Sequence, residues 1–166
     1  MTERHFVTFA RYNAWANARL YDACEALPGA AYFAERPAAF FGSLHGTLNH
    51  ILVGDRAWMR RLTGQGPEPR SLDEELYADL ASLRAARAAE DARILSFIEG
   101  LDDAGLAAEL RYRTMAGEEH ANPVGLVLAH MFNHQTHHRG QAHALVKDAA
   151  AEPPPLDLIY FLRERR

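Results

Sequence analysis

The sequence predicts an all-α protein: an antiparallel four-helix bundle with a long connection between its third and fourth helices and a short helix closing the C-terminus. Three observations point there. Four long stretches repeat apolar residues at spacings of three and four. Between them lie helix-stopping residues, among them Pro28-Gly29, Gly64 and Glu152-Pro153-Pro154-Pro155. Only one short run, Leu110-Arg111-Tyr112-Arg113-Thr114, alternates as a strand does.

The first helix is expected from residue 4 to about 26, on Phe6, Phe9, Tyr12, Ala16, Leu20 and Ala23. The next dozen residues, through Arg36-Pro37-Ala38-Ala39-Phe40-Phe41, read as an aromatic-bearing loop. A second helix runs from about Ser43, an N-cap, to Leu62, with Gly64 ending it. Ser71-Leu72-Asp73-Glu74 has the form of a capping box, so the third helix is expected from there to about Ile98, with its charges on a solvated face. The alternating run at 110–114 is one arm of a hairpin or an extended connection. Asn122-Pro123 opens the fourth helix, Asn as N-cap and Pro at the first helical position. That helix continues to about Ala149, and Leu156 to Leu162 form the closing helix.

At 166 residues the chain fits one domain. A formal charge of −4 offers no general basic surface, which argues against nucleic acid as a partner. One cysteine, Cys24, excludes an internal disulfide and suits the cytoplasm, where it is expected as a small buried residue. The N-terminus lacks the pattern of a signal peptide, and no apolar run reaches membrane-spanning length.

The chemistry concentrates between His130 and Gln141, where four of the nine histidines lie. On a helical wheel with His134 at zero, His138 falls at about +40°, Gln141 at about −20°, His130 at about −40° and His137 at about −60°. Val127 and Leu145 share that stripe, so the imidazoles face the core. Two histidines at i, i+4 supply two adjacent positions on a metal. A third ligand is sought on the second helix. His45 and His50 stand about 140° apart and cannot both serve. His50 is favoured, beside the apolar face and flanked by Gly54 and Ala57, too small to hold another helix away.

The proposed set is His50, His134 and His138, with His130 as rival and His137 as near neighbour. Neutral imidazoles suit zinc, nickel or ferrous iron, and three protein ligands leave a position for a small-molecule substrate or water. Gln141, Asn133, Asp55 and Tyr12 are candidates to orient the rings. His143 falls on the opposite, surface side, and Trp15 and Trp58 belong to the core.

Three stretches, Arg11-Tyr12-Asn13-Ala14-Trp15-Ala16-Asn17, Leu48-Asn49-His50-Ile51-Leu52-Val53-Gly54-Asp55-Arg56-Ala57-Trp58 and Asn133-His134-Gln135-Thr136-His137-His138-Arg139-Gly140-Gln141, resemble the DinB-like family of bacterial metal-binding four-helix proteins. The resemblance implies that the second helix supplies one histidine and the fourth an i, i+4 pair, roles that fall on His50, His134 and His138. It further implies a homodimer and a superfamily of metal-dependent transferases and isomerases using low-molecular-weight thiols. Many plain members have no assigned substrate and are named for induction by DNA damage or stress. The expected activity is therefore thiol transfer to, or hydrolysis of, a small electrophile; the alternative is a non-catalytic metal-binding or ligand-sensing bundle.

Overall fold

The computed structural model describes residues 2–149 and 151–164. Four long helices, α1 (Glu3–Glu25), α3 (Leu44–Thr63), α4 (Leu80–Glu99) and α6 (Val124–Asp148), form the bundle. Around them lie α2 (Gly29–Phe33), α5 (Asp103–Ala107), the antiparallel hairpin β1 (Glu109–Arg113) and β2 (Glu119–Pro123), and α7 (Leu158–Glu164).

The side-chain pairings give the helix directions. Arg11 meets Glu99 and Asp22 meets Arg84, so α1 and α4 are antiparallel. His50 meets His138 and Trp58 meets His130, so α3 and α6 are antiparallel as well. Across the other seams the helices run alongside: Phe6 packs on Phe132 while Asn13 bonds Arg139, and Asp55 pairs with Arg87 while Thr63 bonds Arg93. A parallel α3–α4 pair requires the chain to return along the bundle. Residues 64–79 make that return, starting at Gly64, whose φ of 69° suits glycine.

That strap corrects the expected start of the third long helix. Asp79, not Ser71, caps α4, accepting from the Ser82 N–H at 2.8 Å. Glu74 binds the Arg70 backbone and guanidinium instead of closing a box on Ser71. The reason is tertiary. Asn49 Oδ1 accepts the N–H groups of Leu76 and Tyr77, and His45 donates to the Tyr77 carbonyl. These bonds satisfy the strap's backbone in extended form, which local capping preference cannot anticipate. Two smaller differences follow the same logic. Part of the expected loop after α1 coils into α2, with Tyr32 buried and its hydroxyl 2.8 Å from His45 Nδ1. Asn122 sits in β2, taking the Tyr112 hydroxyl on its side chain, and the helix begins one residue past Pro123.

The core has two apolar layers. One gathers Leu20, Tyr32, Leu48, Leu52, Leu83 and Val146; the other Phe6, Met59, Ile94, Ile98, Leu128 and Met131. Between them lies a closed polar ring joining all four long helices. Asp55 accepts from Arg87 and Gln135, Arg87 also pairs with Asp91, and Asp91 accepts from Asn13 and Asn17. Arg139 donates to Asn13, Asn17 and Gln135, closing the circuit. Arg87 and Asp91 overturn the expectation that the α4 charges face solvent: both are buried, with carboxylates and guanidinium groups in balance. Burial alone would lower the Arg87 pKa, but Asp91 and Asp55 more than reverse that, so the guanidinium stays charged. Burial pushes the Asp55 carboxyl up to about 6 against the pull of Arg87, leaving it ionised at pH 7.

Candidate metal centre

Three imidazoles converge in the α3–α6 seam. His50 projects from α3, His134 and His138 from successive turns of α6. The His50 Nε2 lies 3.2 Å from the Nε2 of His134 and 3.2 Å from that of His138. Four ligands tetrahedrally placed about 2.0–2.1 Å from one zinc ion stand about 3.3–3.4 Å apart, so the spacing fits an ion.

The hydrogen bonds behind the rings make the same case. The Nδ1 of His50 lies 2.7 Å from the Leu72 carbonyl oxygen, and the Nδ1 of His138 lies 2.7 Å from Gln141 Oε1. An amide oxygen only accepts, so each Nδ1 carries the proton. In the neutral rings both Nε2 atoms then present lone pairs to one another at 3.2 Å. A hydrogen bond cannot bridge them, whereas a shared cation can. Burial first, then the neighbouring imidazoles of His138 and His50, pushes the His134 pKa down to about 3. Burial also lowers His50 and His138. The cluster is therefore neutral at pH 7 and ready to coordinate.

Packing fixes the rings. Phe41 stacks on His50, centroids 3.8 Å apart and planes 17° from parallel, and sets its edge against His138. Gly54 makes room for His134: a Cβ there would stand 2.7 Å from the imidazole Cε1. The ring can swing away from that contact, but only by leaving its place beside His50. Gly54→Ala is therefore expected to weaken zinc binding at least as much as loss of an orienting bond, about 10- to 100-fold. The melting temperature of the metal-free protein should change by only a few degrees. Calorimetric titration and a thermal melt check both, and unchanged zinc affinity would count against the assignment.

The sequence matches the family model of the DinB family over residues 1–166. The chain belongs to the DinB family. Its relatives include the protein DinB of Bacillus subtilis (strain 168), 24% identical over 157 residues, which span 91% of this chain and 90% of that one. Among solved structures, a DinB-like protein from Bacillus cereus ATCC 10987 superposes with a TM-score of 0.68 at 16% identity. That superposition covers 89% of this chain and 94% of the other, and it shows a shared fold.

Of the residues considered for this DinB-family site, His50, His134 and His138 come together and the rest do not. His130 is exposed, its ring edge-on to Trp58 at 5.2 Å, and His137 is exposed beside Gln141. Gln141 alone of the four proposed orienting residues reaches a ring of the set. Asp55 belongs to the polar ring, Tyr12 donates to the Leu156 carbonyl, and Asn133 lies on the far side of α6. His143 is not free surface as expected: its Nε2 is 3.0 Å from the Pro154 carbonyl, which ties down the segment before α7. Two contributors escaped the sequence reading, the Leu72 carbonyl and the Phe41 ring. The first carries no side-chain signal. The second sits in a stretch rightly read as an aromatic-bearing loop, four residues before His45 and nine before His50.

Proposed function

We propose that this protein is a metal-dependent enzyme in which His50, His134 and His138 hold one divalent ion, zinc, nickel or ferrous iron. Its reaction is transfer of a low-molecular-weight thiol to a small electrophile, or hydrolysis of that electrophile, in detoxification or stress response. The observation carrying this reading is the convergence of lone pairs on one point, with two rings fixed through their Nδ1 protons. When bound, such an ion lowers the pKa of a thiol or a water and makes it nucleophilic at neutral pH. Among the described residues no fourth His, Cys, Asp or Glu joins the three, which favours an open position over a closed structural site.

The chain's own residues supply orientation. The Leu72 carbonyl and Phe41 hold His50, Gln141 holds His138, and Gly54 leaves the space that His134 occupies. Among the described residues no Asp, Glu or Cys stands with the three imidazoles as a separate general base, and the proton released by the nucleophile would pass to solvent. A homodimer in the cytoplasm belongs to the same reading, on the family resemblance and on a chain in which no described helix is long and apolar enough to cross a membrane.

Elemental analysis is the direct test. Purified protein should contain about one zinc, nickel or iron per chain. Chelation should remove it together with any conjugation of a thiol to an aryl halide, in which the S–C bond forms as halide leaves. Protein that is metal-free and takes up none of the three ions on dialysis sinks the reading.

Acid gives a second check. The native pKa of His134 lies below the unfolded value, so between about pH 6.5 and 3 the unfolded chain binds more protons. Its contribution to stability is complete above pH 6.5 and is lost as pH falls toward 3. Asp55 works in the opposite sense, because its native pKa is raised. The difference between metal-free wild type and His134→Gln isolates the histidine. That difference in urea midpoint should shift against the wild type from pH 7.5 to 5; parallel curves would remove the cluster's strain from the account.

A further inference from the structure

Beside the candidate centre, at the hairpin end of the α3–α6 seam, the side chains make an aromatic shelf with a cation over it. Trp58 stands edge-on to His130 at 5.2 Å and to Tyr112 of β1 at 5.0 Å. His130 in turn lies 6.0 Å from the His134 ring, so the shelf adjoins the imidazole cluster. The Arg61 guanidinium lies 4.5 Å from the Trp58 centroid and 5.5 Å from that of Tyr112.

Two clefts open on this shelf. One, of about 290 Å³, is lined by Trp58, Tyr112, Leu126, Val127 and His130 among others. The next, of about 240 Å³, holds Arg60, Arg61, Arg111 and Arg113 with Glu68. Most of this charge is already engaged. Arg111 pairs with Glu109, Arg113 with Glu119, and Arg60 donates to the Gly64 carbonyl. Arg61 differs: among the described residues it makes no hydrogen bond and no ion pair, and the acidic group whose charge it feels is the exposed Glu68. Stacking on two rings orients its planar fork while leaving the N–H donors unused. An oriented, unpaired guanidinium at an apolar shelf matches a carboxylate carried on a flat body.

Resting on the metal reading above, we propose that the molecule handled by this centre is an organic anion. Arg61 takes its carboxylate, its flat apolar body lies on Trp58 and Tyr112, and its reacting end passes His130 toward His50, His134 and His138. Arg61 is thus a specificity residue that acts on the substrate and leaves the ion untouched.

The test uses cobalt(II)-loaded protein and two probes of one shape, benzohydroxamate and 4-carboxybenzohydroxamate, followed by the cobalt absorbance. Wild type should bind the carboxylated probe at least about tenfold more tightly, the size of one hydrogen bond to a charged group. Arg61→Gln should bring the two affinities together with cobalt uptake unchanged, and Arg61→Lys should keep part of the preference. Equal binding of both probes by wild type, or a preference that survives in Arg61→Gln, overturns the proposal while leaving the metal reading standing. Protein that takes up no cobalt overturns the metal reading itself, and this one with it.

Discussion

His134→Ala is expected to lower zinc or nickel affinity by more than about a hundredfold, beyond what removal of an orienting partner alone costs. The His134 ring stands with its centroid 5.1 Å from that of His50 and 4.3 Å from that of His138. Its loss leaves two nitrogens where three had converged. The fold should survive, because the ring is half-buried in the seam and carries no hydrogen bond of the polar ring. Circular dichroism should therefore stay helical while calorimetric titration shows the loss. Full affinity in this variant would remove His134 from the site. An equal loss in His130→Ala would return the rival histidine to it.

Arg87→Met should be the most damaging single change to stability, by about 3–5 kcal/mol, the usual result of removing one partner from a buried ion pair. Arg87 is buried with its guanidinium 2.6 Å from Asp55 and 2.9 Å from Asp91, and methionine would leave two buried carboxylates without the cation they share. For a chain of this size that is a drop in melting temperature of about 6–20 °C. Asp55→Asn and Asp91→Asn, added to Arg87→Met, should recover part of the loss by removing the stranded charges. A variant within about 1 kcal/mol of wild type would show that the ring contributes little.

These two positions also show what the sequence could and could not disclose. The histidines were legible because α6 is a regular helix. On such a rod, i, i+4 spacing translates directly into adjacency, and the apolar residues beside it tell which way the stripe faces. Gly54 and Ala57 marked where α3 lets another helix approach, and His50 lay next to them. Arg87 and Asp91 were misread because an i, i+4 pair of opposite charges has the same spacing whether it faces water or the core. Only the partners on other helices, Asp55 and the Asn13–Asn17 pair, distinguish the two cases. The strap was misread for a related reason. Ser71 to Glu74 satisfies a local rule, yet Asn49 and His45, more than twenty residues earlier, claim the backbone that the rule would have coiled.

On α6 the residues of the imidazole cluster and of the polar ring are consecutive: His134 and His138 turn toward α3, Gln135 and Arg139 into the polar ring. Rolling the rod to widen or narrow the gap between the imidazoles would shear the bonds that tie it to α1 and α3. The backbone is thus keyed in one rotational setting, and under the proposed metal role ions of different radius would be met by small torsions of the rings themselves. On that proposal, discrimination among metals would rest on how far Phe41, Leu72 and Gln141 let those rings turn.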